Sequence, residues 1–317
     1  MDEQLERHCA NVVDAVRDGE IAFLLGAGVN LCGRPEDVTW EPGDKYLPTG
    51  QELADYLARK YRLPPDEEPE LARVAQYVAA ERGAAKLSKE LHGLFDVECS
   101  PTRLHTLLAR LPAMLRAEGA AFPHQFIVTT NYDDVLERAF RAEGEPFDLF
   151  VYLAQGEHRG RVVHEPHEGE PIVITRPNLA VDVASDRTAI LKIHGAIDRD
   201  DAHRDSWVIT EEHYVEYLTQ TDISTWMPVA LSSRLQESNL ECLGYSLRDW
   251  NLRAILRRLR KDRAEGWKWW AVQLDSGELD RWVWTKHDLE ILDARLEDYV
   301  DSVEACLARS ASTALGP

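Results

Sequence analysis

A short apolar run followed by a glycine turn constrains this chain more than any other feature. Residues 21–25, Ile-Ala-Phe-Leu-Leu, lead directly into Gly26-Ala27-Gly28. An unbroken apolar run of this length is typical of a central strand in a parallel sheet whose two faces are both covered. Glycines after such a strand can adopt a positive φ and approach a ligand closely, and the next helix N-terminus can bind a phosphate. The run predicts an α/β fold, with a nucleotide as the first ligand to consider.

The glycine turn does not match the dinucleotide fingerprint of dehydrogenases. That fingerprint, G-x-G-x-x-G, needs a third glycine where this chain has Leu31, and Gly33 comes two residues late. Near Pro48 and Thr49 the sequence also lacks a strand that ends in the acidic residue expected to hold an adenosine ribose. On this motif alone, a purely structural glycine turn is an equal alternative.

Polar residues follow two further predicted strands. The stretch 125–130 leads into Asn131 and Asp133, and the stretch 190–193 leads into His194. In an open α/β sheet, ligands bind beyond the carboxyl ends of the strands. We therefore expect Gly26, Asn131 and His194 to converge on one pocket.

Each of these polar residues also has a structural interpretation. Asp133 can cap the helix that follows it, which is as plausible as a role in ligand binding. Asn131 can be a turn residue, and His194 can be a buried histidine at a strand end. The residues alone leave these alternatives open.

Four motifs in this order resemble those of the sirtuin fold. They are Gly26-Ala27-Gly28, Thr130-Asn131-Tyr132-Asp133, His194-Gly195 and Gly244-Tyr245-Ser246-Leu247-Arg248-Asp249. The resemblance covers roughly residues 20–275 and is greatest to the bacterial sirtuin-like domains of antiphage defence systems. It implies a Rossmann-like parallel sheet and NAD+ as the substrate.

The resemblance also implies roles for individual residues. Asn131 would order the nicotinamide ribose and the attacking water, Asp133 would support that arrangement, and His194 would act as the base. An amide can donate and accept at once, and an imidazole with the usual pKa of ~6.5 can take a proton at neutral pH. The turn 26–28 would cradle the pyrophosphate, and the implied cofactor-binding set is Gly26, Ala27, Gly28, Asn30, Thr130, Gly195, Gly244, Ser246 and Asp249.

The irregular stretch 34–47 is predicted to lie over the pocket. In conventional sirtuins the corresponding loop carries a Pro-Asp-Phe-Arg sequence, which this chain lacks. Arg34 and Asp37 are the nearest replacements, and the sequence does not choose between them.

The rest of the chain is predicted to complete a single sirtuin-like domain over residues 1–317. Residues of about 49–118 have helical patterns throughout and form an all-helical insert, which opens with the capping box Thr49-Gly-Gln-Glu52. Further predictions are short strands and loops over 147–174, a strand over 267–274, a short strand over 281–284, a closing helix over about 288–308 and a disordered tail over 308–317.

The cysteine pattern bears on metal binding. Five cysteines, at positions 9, 32, 99, 242 and 306, are scattered and form no C-x-x-C pair. Protein-deacetylating sirtuins usually hold a structural zinc with two such pairs, so the zinc module is absent from this sequence. His158, His164 and His167 lie close together, but their spacing matches no familiar metal motif. We expect no metal.

Charge and hydropathy limit the partners. The chain has 36 basic and 56 acidic side chains and a formal net charge of −20, which disfavours direct binding of nucleic acid. The basic stretch 253–263 has apolar residues at helical spacing and is interpreted as an amphipathic helix. No signal region and no apolar run near the ~18 residues needed for a membrane span is present, so we predict a cytoplasmic protein without membrane contact.

Three functions are compatible with the resemblance. The first is an NAD+ glycohydrolase that depletes NAD+ in antiphage defence; the second is an NAD-dependent protein deacylase; the third is a non-catalytic sensor of NAD or ADP-ribose. The missing zinc module would leave an acyl-lysine groove without one wall, and the presence of both Asn131 and His194 argues against a sensor. The first is therefore favoured. Related domains assemble with a HerA-type ATPase or a short Argonaute, which implies a homo-oligomer with a separately encoded partner.

Overall fold

One mostly parallel sheet organises the molecule. The computed structural model describes residues 3–64, 68–178, 186–219, 225–246 and 266–314, together with 253, 256 and 257. The strand order is β5-β4-β3-β6-β2-β1-β7-β8-β9, and all neighbours are parallel except for the pairs β3–β4 and β4–β5. The strands are β1 (Ile21–Leu25), β2 (Phe126–Thr129), β3 (Phe147–Leu153), β4 (Arg161–Glu165), β5 (Ile172–Ile174), β6 (Thr188–Lys192), β7 (Asn239–Leu243), β8 (Trp269–Val272) and β9 (Leu289–Leu292).

Helices cover both faces of this sheet. They are α1 (Glu3–Arg17), α2 (Gly50–Tyr61), α3 (Leu71–Arg82), α4 (Ala84–Phe95), α5 (Arg103–Ala117), α6 (Val135–Glu143), α7 (Glu211–Thr219), α8 (Val229–Gln236), α9 (Glu278–Thr285) and α10 (Leu296–Ala314), with short 3-10 segments at Ala27–Leu31 and Ala202–Arg204. The predicted α/β class with a Rossmann-like sheet is confirmed.

Strand β1 lies at the centre of the sheet, as its apolar run predicts. Ile21, Phe23 and Leu25 pack into an apolar cluster on one face, and Ala22 and Leu24 pack into a second cluster on the other face. This alternation follows from the two-residue period of a strand. Burial on both faces is why all five positions are apolar.

The register of the central strands brings their carboxyl ends to one edge. Leu25 of β1 pairs with Thr129 of β2 and with Leu243 of β7, and Thr129 in turn pairs with Lys192 of β6. The loops that follow these four strands therefore begin side by side. This is the arrangement that the predicted pocket requires.

The predicted helical insert is confirmed as α2–α5, which lie between β1 and β2. Its first helix opens with the expected capping box: Thr49 Oγ1 accepts from the Glu52 N–H at 3.2 Å, and Glu52 Oε2 accepts from the Thr49 N–H at 2.8 Å. A third apolar cluster joins the insert to Tyr132 and Trp207. Those two residues follow β2 and β6, so the insert packs against the loops at the sheet edge.

Three predictions for the carboxyl-terminal part are wrong. Residues 281–284 lie in helix α9 and not in a strand, and Trp282 is 63 % exposed there. The closing helix begins at Leu296 and not near 288, because Leu289–Leu292 forms strand β9 beside β8. That helix continues to Ala314, so the tail is not disordered up to this residue. Asp249 and most of the basic stretch 253–263 lie outside the described residues.

Within the described ranges, none of the helices is both long and apolar enough to cross a membrane.

Candidate functional site

A cavity of about 1080 Å³ opens at the carboxyl edge of the central strands. Its wall includes residues from the loops after β1, β2, β6 and β7, and the predicted convergence is confirmed for Asn131 and His194 but not for Gly26. The predicted site residues on the wall are Ala27, Gly28, Asn30, Thr130, Asn131, Asp133, His194, Gly244 and Ser246. The carboxamide of Asn131 and the imidazole of His194 therefore belong to the same cavity.

The side chain of Asn131 is held by backbone contacts at the base of its loop. Its main-chain N–H donates to Thr129 Oγ1 at 3.1 Å, and its Nδ2 donates to the carbonyl of Gly26 at 3.3 Å. Its Oδ1 is buried and has no hydrogen-bond partner within the described part of the chain. Since buried polar atoms are almost always paired, this oxygen is available to a ligand or a water.

The imidazole of His194 is buried among aromatic rings. Tyr214 and Tyr217 meet it edge-to-face, with ring centroids 5.4 and 5.9 Å away. Its Nε2 is buried and, as far as the described residues extend, has no partner. Burial lowers the pKa of His194 from 6.5 to about 3, so the ring is neutral at physiological pH in the free protein.

Asp133 lines the cavity and lies one residue before the N-cap of α6, which is Asp134. Its Oδ1 accepts from the Val135 N–H at 3.1 Å, so it binds the first turn of the helix without being its N-cap residue. Burial raises the pKa of its carboxyl group, and the positive charge of Lys192 opposes this shift. A role toward a ligand stays a prediction.

The glycine turn differs from the predicted phosphate cradle. Neither Gly26 nor Gly28 has a positive φ. The Gly26 N–H donates to Leu243 O at 3.0 Å, and the Gly28 N–H donates to Gly244 O at 2.8 Å. These two donors are therefore used within the protein, and the segment that follows is a five-residue 3-10 helix instead of an α-helix. Gly26 and Gly28 therefore do not offer their N–H groups to a phosphate in this structure, and the predicted role of Ala27 is untested.

Close packing between two loops explains these glycines. A Cβ on Gly28 would lie 2.6 Å from the carbonyl oxygen of Gly244. Gly244 itself has φ +72°, and a Cβ there would lie 2.3 Å from the nitrogen of Val29. The loops after β1 and β7 interlock at a distance that no larger residue permits.

Three other predicted site residues are not found on the cavity wall. Gly26 and Gly195 are not among the wall residues. Gly195 has φ +88°, and a Cβ there would lie 2.2 Å from Ser206 O. The structure thus explains Gly195 by packing and does not bring it to the cavity. Asp249 lies outside the described residues, and its predicted role is untested.

Sequence reasoning did not settle the role of Arg34, a residue of the cavity wall, and it missed the partner of Arg34, which is Glu52. The Arg34 side chain is only 7 % exposed and donates from Nη2 to Glu52 Oε1 at 2.7 Å. Arg34 lines the cavity, and its Nη1 is buried without a partner among the described residues. Glu52 does not line the cavity; its Oε1 also accepts from the Trp40 N–H at 3.0 Å. Asp37, the alternative, is exposed and is not part of the wall. No local pattern marks an ion pair eighteen residues apart.

Tyr245 belongs to the fourth sequence motif, which assigned it no function. Its hydroxyl forms a 2.9 Å hydrogen bond with Thr130 Oγ1, and its ring lies where a Cβ on Gly26 would approach it to 2.9 Å. It thereby joins the loops after β2 and β7 at the cavity wall.

Histidines outside this site have structural partners. His164 bonds to Asp148 Oδ2 at 2.9 Å and stacks on Phe150, and His92 bonds to Asp205. Across the described ranges, His, Cys, Asp and Glu form no group of three that could hold a metal ion.

Comparisons with known proteins identify the family to which this fold belongs. A Rossmann-like sheet with a cavity at its carboxyl edge defines an α/β protein of the kind that binds ligands beyond the strand ends. A family model described as the SIR2-like domain matches residues 125–292, more than half of the chain. The chain belongs to this SIR2-like domain family.

Three curated proteins with detectable similarity share the name NAD(+) hydrolase ThsA. The protein from Acinetobacter baumannii (strain 532279) is 27 % identical over 251 residues, covering 78 % of this chain and 41 % of that protein. Those from Enterococcus faecium and Bacillus cereus (strain MSX-D12) are 26 % and 24 % identical, covering 78 % and 77 % of this chain. The chain spans about two fifths of the length of each relative, 41 % in every case.

Proposed function

We propose that this chain is an NAD+ glycohydrolase that releases nicotinamide and ADP-ribose. The observation that carries the proposal is that Asn131 and His194, after adjacent strands, line one cavity, and that each has a buried polar atom, Asn131 Oδ1 and His194 Nε2, without a partner among the described residues. The name of the three relatives supports the same activity for this region.

The chemistry sets three requirements for such a site. The bond between nicotinamide and ribose breaks through a transition state with oxocarbenium character, because the pyridinium leaves as a neutral base. The protein must orient the ribose, tolerate positive charge on it and control which nucleophile arrives. A site built from a carboxamide and a neutral imidazole can meet these requirements.

Asn131 is proposed to orient the ribose or the attacking water. Because its Nδ2 is engaged by Gly26 O, the amide plane is held and Oδ1 is aimed as an acceptor. An acceptor held by a second hydrogen bond loses little freedom when the ligand binds, which is the basis of preorganised catalysis.

His194 is proposed to accept a proton from the nucleophile. In the free protein its imidazole is neutral, so one of its two ring nitrogens is an acceptor, and its Nε2 has no partner among the described residues. A bound dinucleotide adds negative charge from its pyrophosphate, and a nearby negative charge favours the protonated ring. The pKa of His194 would then rise toward the range in which a general base is effective.

Arg34 is proposed to bind the pyrophosphate. The Gly26 and Gly28 N–H groups are used by the β7 loop, so the anion requires another donor. Arg34 lines the cavity, its Nη2 is held by Glu52, and its buried Nη1 is free within the described structure. A guanidinium fixed in this way suits phosphate oxygens.

The wider role is proposed from the resemblance. Unrestrained NAD+ cleavage harms a cell, so the activity needs control. We propose that the chain is an NAD-depleting effector in antiphage defence, that it forms a homo-oligomer, and that a separately encoded HerA-type ATPase or short Argonaute regulates it. The acidic net charge is consistent with a chain that does not itself bind nucleic acid.

The test is to incubate the purified chain with NAD+, alone and with a candidate ATPase, and to follow nicotinamide and ADP-ribose. We expect equal amounts of both products without any acylated substrate. A parallel reaction with an acetylated peptide separates the deacylase alternative, which would release nicotinamide only with the peptide and form acetyl-ADP-ribose. Tight binding of NAD+ without cleavage in every condition would favour a sensor and contradict the proposal.

A further inference from the structure

A buried lysine lies directly beneath the proposed active site. Lys192 is the last residue of β6, and it is only 1 % exposed. Its Nζ donates to the main-chain carbonyl of Asp133 and, at 2.6 Å, to Glu137 Oε1. It is not part of the cavity wall. A fully buried ammonium is costly unless it is paired, so its presence here calls for an explanation.

The two partners of Lys192 belong to the loop and helix that follow β2. The Asp133 carbonyl is two residues beyond Asn131, and Glu137 is in the first turn of α6. Lys192 is followed by Ile193 and then by His194. The Ile193 N–H donates to Thr129 O at 3.0 Å. Lys192 therefore connects the strand that carries the imidazole with the turn that carries the carboxamide.

We propose that Lys192 is a positioning residue, which holds the turn Asn131–Asp134 in register with His194 through its hydrogen bond to the Asp133 carbonyl. The inference rests on the proposed function, because it assigns a purpose to the relative placement of those two side chains. An apolar residue could fill the same space, but it could not fix the turn. Small displacements of reacting groups are expensive in catalysis, which gives such a bond its value.

Glu137 has a different task from Lys192. The charged groups around the ammonium are Glu137, Asp133 and, farther away, Glu165; burial raises the pKa of the last two. Glu137 is the carboxylate in direct contact, and it supplies the counter-charge that makes a buried ammonium tolerable. The carbonyl bond positions the turn, while the ion pair neutralises the charge. The two tasks can be separated by substitution.

The test compares three variants of the chain. Lys192→Met with Glu137→Leu removes the carbonyl bond together with the carboxylate in direct contact with the lysine, a replacement that buried ion pairs often tolerate. Glu137→Gln keeps the lysine and its bond to Asp133. His8→Leu with Glu241→Leu is the matched control, since it removes another buried pair, at 3.0 Å between α1 and β7, whose residues do not line the cavity.

Hydrogen exchange of the amides in residues 130–134 is the first readout, because it needs no catalysis. In the Lys192→Met, Glu137→Leu variant we expect these amides to exchange about tenfold faster than in the parent, because one hydrogen bond is lost. In the other two variants we expect the same exchange rates as in the parent. Parental exchange in the first variant would overturn the proposal. If that variant does not fold, Glu137→Gln decides: retained protection supports the carbonyl bond, and lost protection contradicts it.

Steady-state kinetics with NAD+ are the second readout. For the lysine variant we expect kcat to fall about 10- to 100-fold while KM stays within about threefold, since the turn is misplaced and the rest of the cavity is intact. An equal fall in the control pair would show that lost core stability is the cause and would overturn the proposal. If the parent chain releases no nicotinamide, the proposed function fails, and the exchange measurement still decides the role of Lys192.

Discussion

Asn131 and His194 follow adjacent parallel strands and line the same cavity, and each has one buried polar atom without a described protein partner. Native proteins leave few such atoms unpaired, because each one costs about 1–3 kcal/mol. In the proposed function, the hydroxyl groups of a bound ribose and the attacking water would supply the missing donors to these two residues.

The interlocked glycines predict a large loss of stability on substitution of Gly244. Alanine there would combine a positive φ with a clash against the Val29 nitrogen. We expect the free energy of unfolding to fall by about 2–4 kcal/mol in denaturant titrations. Gly119→Ala is the control, because Gly119 has φ +76° and open space around it, so only about 1 kcal/mol should be lost. Equal effects of the two substitutions would contradict the close packing of the loops after β1 and β7.

The position of Arg34 predicts a binding defect. Arg34→Met should raise KM for NAD+ about tenfold or more with a smaller change in kcat, because a charge-assisted hydrogen bond to the pyrophosphate is lost. Arg59→Met is the control; this arginine pairs with Glu41 on the exposed side of α2 and does not line the cavity. Steady-state kinetics measure both variants. An unchanged KM for Arg34→Met would remove this residue from the proposed site.

The buried capping box of α5 predicts acid sensitivity. His105 Nδ1 accepts from the Thr102 N–H at 3.2 Å, and burial lowers the pKa of His105 to about 4. In the unfolded chain the pKa of this histidine is near 6.5, so the unfolded chain takes up a proton at a higher pH than the folded chain does. The contribution of neutral His105 to the free energy of unfolding is therefore complete above pH 6.5. It is lost as the pH falls toward 4, with a slope of about 1.4 kcal/mol per pH unit.

His105→Gln separates this contribution from other titrations. Glutamine keeps the capping-box acceptor but does not titrate. Chemical denaturation between pH 4 and 6.5 should show a slope that is shallower than that of the parent by about 1.4 kcal/mol per pH unit. An unchanged slope would show that His105 is not a neutral buried histidine in solution.

Much of the fold and the convergence of the site follow from short-range patterns in the sequence. The apolar run 21–25 predicts a strand buried on two faces, and polar residues after parallel strands meet at one edge for geometric reasons. The sequence alone is therefore enough to predict that Asn131 and His194 lie in one cavity.

The features that sequence reasoning missed depend on contacts distant in the chain. The Gly26 and Gly28 N–H groups are unavailable because β7, more than two hundred residues later, supplies their acceptors. The low pKa of His194 results from burial beneath Tyr214 and Tyr217, which no motif encodes. Strand β9 was predicted to be helical because four residues are too few to distinguish the two-residue period of a strand from the 3.6-residue period of a helix.

The most direct measurement is nicotinamide release from NAD+ by Asn131→Ala and His194→Ala, compared with the parent under the conditions in which the parent is active. Ser88→Ala is the control, since Ser88 accepts from Trp207 Nε1 at 3.1 Å and does not line the cavity. We predict that both site variants fold, that ADP-ribose still binds them, and that kcat falls by about 10²-fold or more while the control stays active. Release at the parental rate by either variant would contradict a site built on this amide and this imidazole.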